Sequence, residues 1–392
     1  MKNVLVISNE FYPAIKPTAK MALRIISSIS NNQECHFDVI SCSFDSKTVF
    51  VDNNITNHHI FNYSATDKVD IVHSAIRFFY KAIKKVYSFF VHYQFFDNRR
   101  FYNKGKQLLA KREYDAILGI SGYFAEHQAA FKLSKKFKVP LFLFYADPFV
   151  TNIVFKKIKK EKLINLETKW FDQTTKCFLP SNYLCQYREI YKDYINKFCE
   201  CELAGFFDEK ELMVINKTKR IDKLIVYAGS FFFNWRRPDR LIEMAKELEN
   251  YIFLVLGKLD YELFGWKEIP KNIKVVERLC GDDYLNTIGS ASIFFLEDNS
   301  FSNQIPYKAF EYVSTGKPII YSTSNSLSAT SIFLSEYTNK FIMTSIDHCS
   351  IKSFEEWMSK SCSDKLDNDG SYIKYKTEYI SELIWSIMFQ NR

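Results

Sequence analysis

The stretch QIPYKAFEYVSTGKPII, residues 304–320, sets a lysine and a glutamate three positions apart between a proline and a glycine. On a helix over 306–315, Pro306 takes the first helical position, where its missing N–H costs nothing. Gly316 falls just past the end, where a left-handed residue is wanted. At about 100° per residue, Pro306, Ala309, Phe310 and Val313 gather on one face, and Tyr307, Lys308, Glu311 and Ser314 on the other. The first face is expected to cover a sheet and the second to point away from it. A cation near the free N–H groups and positive dipole end of a helix suits a phosphate. A carboxylate one turn on suits a pair of sugar hydroxyls. The spacing equally fits a solvated Lys–Glu pair contributing about 0.2–0.5 kcal/mol, and geometry alone leaves both open.

Other candidates are scattered along the chain. Asp147, ahead of Pro148, closes the apolar run PLFLFYAD and is either a turn-former or a hydroxyl ligand. His127 falls on the helix after the run 114–120, either packed against neighbours or facing a cleft. Arg236 and Arg237 precede a helix expected from Pro238. They either grip phosphate, for which a planar guanidinium is suited, or flank the helix in solvent. Glu167 reads as an exposed or helix-pairing glutamate. No His/Cys spacing suits a metal, so metal-independent chemistry without a cofactor is expected. Nine cysteines without a C-x-x-C pair read as buried free thiols of a reducing compartment.

Elements that position these residues follow from hydrophobic periodicity. Short runs apolar on both faces (3–8, 36–42, 114–120, 140–147, 176–181, 197–203) alternate with helical patterns at 18–30, 124–136, 161–175 and 182–195. The scheme repeats with runs at 223–229, 251–257, 272–279, 292–298, 317–323 and 341–345. Helices are expected near 238–249, 282–290, 306–315, 326–337 and 351–361. That pattern predicts two doubly wound α/β domains, residues 1–204 and 205–370, with parallel sheets covered on both sides. The stretch 204–222 is polar and weakly periodic and reads as the interdomain link. Residues 371–392 form an amphipathic helix expected to pack back towards the N-terminal domain. Ligands of such sheets sit beyond the carboxyl ends of the strands, and in two facing domains those ends line a cleft.

Residues 70–113 interrupt the alternation. Lys81, Lys84 and Lys85 stand among aromatics that include Phe89 and Phe90, as an anionic membrane surface requires, although a solvated helical hairpin has the same composition. A formal charge of +8 suits an acidic partner. Nucleic acid is not expected. No apolar run approaches the roughly 20 residues of a membrane span, and the first residues read as a strand and not a signal peptide. A cytoplasmic protein, peripheral at the inner face of the plasma membrane, is the expectation.

The stretch IPYKAFEYVSTGKPII resembles the nucleotide-sugar motif of retaining GT-B glycosyltransferases, the group-1 or family-4-like enzymes of bacterial surface polysaccharide synthesis. NVLVISNEFYPAIKPTAKMALRIISSI resembles their first strand, loop and helix. YDAILGISGYFAEHQAAFKLSKKFKVPLFLFYADPF resembles the stretch ending in an Asp-Pro-aromatic, and LIVYAGSFFFNWRRPDRLIEMAKEL the strand, phosphate loop and helix that open the donor domain. The resemblance implies a GT-B fold of two Rossmann-like domains facing across a cleft. It implies transfer of a sugar from a nucleotide sugar to a lipid-linked glycan with retention. Gly229, Ser230, Arg236, Arg237, Asn303, Ile305, Lys308 and Glu311 would hold the donor. Asp147, His127 and Lys308 would act at the reacting centre, and Lys16 and Thr18 would line the N-domain loop, Thr18 also capping its helix. Three positions depart from the pattern. Ser230 stands for an Arg, Asn303 for the first Glu of E-x7-E, and Lys16-Pro17 for a Gly-Gly. These departures keep two alternatives in view, a GT-B epimerase of UDP-sugars and a non-catalytic GT-B partner protein.

Overall fold

The computed structural model describes residues 1–11, 16–43, 48–61, 95–121, 124–151, 159–231, 236–299, 303–346, 348–360 and 372–390. Its compact units are Met1–Ala204 together with Glu378–Arg392, and Gly205–Thr377.

Unit one is built on an eight-stranded sheet in the order β3-β4-β2-β1-β5-β6-β7-β8. The strands are β1 Lys2–Ser8, β2 Cys35–Ser43, β3 Thr48–Asp52, β4 Ile55–Phe61, β5 Ala116–Ser121, β6 Leu141–Tyr145, β7 Thr174–Leu179 and β8 Phe198–Glu200. All pair in parallel except β3, which runs antiparallel to β4. The run LFLFY of β6 is buried throughout, as a central parallel strand must be. Helices α1 Pro17–Asn32, α2 Phe95–Leu109, α3 Phe124–Phe137, α4 Lys160–Gln173 and α5 Ser181–Ile190 connect the strands. The hairpin β3–β4 was not expected from the sequence, because its residues lack strict alternation. Asp38 on β2 meets the His58 ring of β4 at 2.7 Å and accepts from the Tyr114 hydroxyl at 2.6 Å. That polar link ties β4 to the approach to β5.

Unit two opens with α6 Glu209–Lys217, inside the stretch read above as a link. Asp208 accepts from the backbone of Glu211, and the Glu211 carboxylate accepts in return from the backbone of Asp208, at 2.8 and 2.9 Å. This capping box lets a weakly amphipathic segment form a helix. Then follow β9 Leu224–Ala228, α7 Asp239–Glu247, β10 Ile252–Leu256, β11 Ile273–Val276, α8 Gly281–Ser290 and β12 Ile293–Glu297. The unit continues with α9 Tyr307–Ser314, β13 Ile319–Ser322, α10 Ala329–Phe333, β14 Lys340–Met343 and α11 His348–Lys360. Its six parallel strands run β11-β10-β9-β12-β13-β14. The chain winds outward from β9 in one direction and then from β12 in the other, so the switch point lies between these two neighbours. Helix α12, Thr377–Trp385, carries the Ser381 hydroxyl that donates to the Ile25 carbonyl of α1.

Candidate functional site

At the switch point of unit two, β9 and β12 pair with Ile293 opposite Ile225 and Phe294 opposite Val226. Continued to the strand ends, that register sets Glu297 level with Gly229. Beyond β9 the chain turns through Gly229 and Ser230. The Ser230 hydroxyl accepts from the Lys258 backbone at 3.1 Å, and the Phe231 backbone donates to the Lys258 carbonyl at 3.1 Å, joining this loop to the one after β10. The two glycines differ in what a side chain would meet. A Cβ on Gly257, whose φ is +154°, would sit 2.3 Å from the Gly229 carbonyl oxygen. A Cβ on Gly229 would sit 2.6 Å from Lys308 Nζ.

Lys308 reaches Gly229 because α9 is fixed from both sides. Pro306 precedes the helix with φ −59° and its carbonyl accepts from Ala309, while Gly316 closes the end at φ +72°. Tyr312, one turn after Lys308, accepts from the Ala228 backbone through its hydroxyl at 2.7 Å and stacks on Phe294 at 4.1 Å. Lys308 is carried to the end of β9, where Nζ lies 3.3 Å from the centre of the Tyr227 ring. A cation on a ring face is attracted by the quadrupole. Yet the amine is buried and, among the described residues, has no hydrogen-bond partner. Burial first, and then the Arg236 charge, push it well below the ordinary lysine range, with Arg278 acting in the same direction.

The face read as solvent-directed is therefore buried. Lys308, Glu311 and Ser314 are all enclosed, which excludes a solvated surface pair. The Glu311 carboxylate accepts from the Tyr284 hydroxyl of α8 at 2.6 Å. Arg236 leans across the crevice to the Asn299 side chain at 2.6 Å. Arg237 turns instead to Asp239 at 2.6 Å and lies over the Phe264 ring. Arg236 adds its charge at Lys308, while Arg237 is engaged by Asp239 at the start of α7. Asn303 and Ile305 are half-buried just ahead of α9. Lys317, of the Gly-Lys-Pro step, donates to the Ile288 and Ala291 carbonyls at 3.2 and 2.9 Å and closes the end of α8.

Two residues here carry no sequence signal. Arg278 follows β11, and its only mark is the charge it adds at Lys308. Glu297 ends β12 with its Oε1 3.8 Å from Arg240 and its Oε2 buried without a partner. Burial pushes this carboxyl up to about 7, against the pull of Ser322, Arg240 and Arg236.

The candidates in unit one fare differently. Asp147 sits half-buried just past β6. His127 does not face a cleft. It is fully buried on α3, meeting the Phe144 carbonyl at 3.2 Å and packing edge-on to Tyr145, Phe149 and Trp170. Burial pushes its imidazole down to about 3, so it is a neutral core residue and not a catalytic one. Glu167 is likewise buried and not exposed, accepting from Tyr187 and Tyr191 at 2.9 and 2.7 Å. Lys16 is exposed and paired with Glu10. It occupies the cap position of α1, and Pro17 starts the helix, so Thr18 lies inside it and caps nothing. Lys81, Lys84, Lys85, Phe89 and Phe90 lie outside the described residues.

Among the described residues no three His, Cys, Asp or Glu side chains are grouped to hold a metal, and no helix is long and apolar enough to cross a membrane. Seven described cysteines are free thiols, Cys185 and Cys280 exposed.

Along its full length the chain is similar to known structures. One is described as trehalose-6-phosphate from E. coli bound with UDP-2-fluoro glucose, with a TM-score of 0.64 at 11% identity, covering 99% of each chain. Another is UDP-GlcNAc 2-epimerase from Methanocaldococcus jannaschii, with a TM-score of 0.57 at 11% identity over 100% of both chains. A third is Anabaena Alr3699/HepE in complex with UDP and glucose, with a TM-score of 0.58 at 12% identity over 98% of both chains. The fold is GT-B. At these identities the likeness concerns the GT-B fold alone. No protein-family model and no curated protein matches the sequence.

Proposed function

We propose that this GT-B protein is a retaining glycosyltransferase that moves a sugar from a nucleotide-sugar donor to a lipid-linked glycan in bacterial surface polysaccharide synthesis. The observation that carries the donor site is Lys308, a buried amine at the switch point of unit two without a hydrogen-bond partner among the described residues. A buried cation in that state is costly unless an anion meets it. Arg236 and Arg278 add positive potential at the same place, and the start of α9 adds its dipole. A diphosphate is the anion that such a crevice in a doubly wound sheet suits. The UDP and UDP-sugar complexes among the similar folds support this ligand class.

In this reading the sugar–phosphate bond breaks with negative charge growing on the leaving diphosphate and positive charge on the ring. Lys308 and Arg236 are fixed before the reaction, so they stabilise the diphosphate without reorganising. Glu311, the carboxylate one turn after Lys308, is the candidate acceptor for sugar or ribose hydroxyls. The charge is supplied by side chains, so the reaction needs no metal, and turnover is unchanged by EDTA. Asp147, at the end of β6, is a hydroxyl ligand for the acceptor, and Lys16 lines the loop ahead of α1. The enzyme works at the inner face of the plasma membrane.

The test is turnover of UDP-, GDP- and dTDP-sugars by Lys308→Ala and Glu311→Gln variants. Loss of a charge-assisted contact of about 1.5–3 kcal/mol predicts a fall of roughly 10- to 100-fold in kcat/KM for each. Wild-type kcat/KM in both would overturn the site. The likeness to a UDP-GlcNAc 2-epimerase favours one second reading. An epimerase interconverts free nucleotide sugars with no acceptor present, so product analysis without acceptor separates the two.

A further inference from the structure

The carboxyl of Glu297 is the least expected group in the crevice. An acid beside an anion site repels its ligand if it is ionised. Glu297 nevertheless ends β12 at the switch point, level with Gly229 and therefore with the cradle that Lys308 Nζ occupies. Its Oε1 side is engaged. Arg240 of α7 approaches at 3.8 Å, and the same guanidinium donates to the Ser322 hydroxyl of β13 at 3.1 Å. Among the described residues its Oε2 is buried with no hydrogen-bond partner, and the side chain as a whole keeps 12% of its exposure. The crevice thus holds a lysine amine and a carboxyl oxygen that lack hydrogen-bond partners among the described residues. They come from elements that flank the same strand end.

We propose that Glu297 is a ligand-contacting member of the donor site, entering as the neutral acid and donating its hydrogen to a phosphate or sugar oxygen of the bound nucleotide. The proposal rests on the reading of this crevice as a nucleotide-sugar site. A protonated carboxyl turns the repulsive group into a donor and accounts for the unpartnered Oε2. The Ser322 hydroxyl, Arg240, Arg236 and Lys308 favour the ionised form, Asp298 disfavours it, and burial outweighs them, with the carboxyl pushed up to about 7. A bound diphosphate adds negative charge nearby and holds the proton more firmly. Binding therefore takes up a proton from solvent wherever the empty site has lost it, at and above neutral pH.

The experiment is calorimetric titration with a nucleotide sugar. UDP-, GDP- or dTDP-glucose serves, whichever raises the melting temperature. A diphosphate diester is chosen because it lacks the phosphate group that titrates near pH 6. Affinity is measured at pH 6.5, 7.25 and 8, and in two buffers of different ionisation enthalpy to count protons. Wild-type affinity should fall by up to tenfold per pH unit above neutrality, with proton uptake. Glu297→Gln, a permanent neutral donor of the same shape, should bind as wild type at pH 6.5. It should fall less steeply and take up fewer protons. Glu297→Ala should bind more weakly at every pH. The proposal is overturned if the wild-type and Gln profiles superimpose, or if Gln binds as poorly as Ala at pH 6.5. If none of the three nucleotide sugars binds wild type, the donor-site reading fails and this proposal with it. Binding with a flat profile removes only the proposal.

Discussion

A buried amine with no partner burdens the fold that carries it, and Lys308 makes that burden measurable. Leaving it unsatisfied costs about 1–3 kcal/mol, partly offset by its contact with the Tyr227 ring, about 1 kcal/mol. Lys308→Met keeps the length and removes the charge, so unfolding in urea should show a gain of about 1 kcal/mol. Nucleotide-induced stabilisation should vanish in the same variant. A less stable Met variant that still binds would contradict the assignment. Two glycines give a sharper contrast. Ala at Gly229 meets the flexible tip of Lys308, whereas Ala at Gly257 meets a backbone carbonyl. The first should impair binding at nearly wild-type stability, and the second should destabilise by more than about 1 kcal/mol. Lys308 was legible in the sequence because proline, glycine and spacing defined its helix. Glu297 was not, since an acid after an apolar run reads as any strand end until its neighbours are known. His127 shows the opposite failure, where the sequence offered a reactive residue type and the packing of α3 made it core.

Elements were legible wherever periodicity was strong, and α6 shows what remained hidden. Its helix rests on the Asp208–Glu211 capping box, a two-residue signal inside polar composition. Asp208→Ala should cost about 1 kcal/mol, readable as a loss of urea midpoint, and a neutral result would mean that tertiary contacts hold α6 without its cap. Between α4 and α5 the sequence hid a different device. Glu167 is enclosed by Tyr187 and Tyr191, and burial pushes its carboxyl from 4.5 up to about 7. The folded state then holds a proton that the unfolded chain has released. Stability is full below about pH 4.5 and falls as pH rises through 7, with a slope approaching 1.4 kcal/mol per pH unit. Glu167→Gln, which is neutral throughout, should flatten thermal melts between pH 5 and 8. An unchanged slope would locate the titrating group elsewhere. No periodicity analysis could find this, because the burial of residue 167 depends on three elements meeting.

At the scale of the molecule, sequence alternation was enough to read two doubly wound sheets, and the strand order that locates the switch point was not. Pairing of β9 with β12 joins segments nearly 70 positions apart, and local patterns do not encode it. Charge distribution is the other property that only the assembled unit displays. Among the described residues the exposed side of α2, α3 and α4 in unit one is basic. Helix α3 presents Lys132, Lys135 and Lys136 and no exposed acid, α4 adds Lys160, Lys162 and Lys169 against Glu161 and Asp172, and α2 adds Arg99 and Lys106. The Lys135 and Lys136 amines lie 6.0 and 5.6 Å from the centres of the Phe131 and Phe137 rings. Cations beside half-buried aromatics suit an anionic headgroup layer, where each basic residue contributes about 1 kcal/mol near the surface. This face extends the membrane expectation, made for residues 70–113, to helices the structure describes. Sedimentation with vesicles containing anionic lipid should therefore retain the protein at low salt and release it as the Debye length shrinks below about 8 Å. Reversal of Lys132, Lys135 and Lys136 to Glu replaces three attractions by repulsions and should reduce binding by more than 100-fold. It should leave the nucleotide-induced thermal shift of unit two unchanged. Equal binding to neutral vesicles, or a triple variant that sediments like wild type, would remove the membrane from the proposed function without touching the donor site.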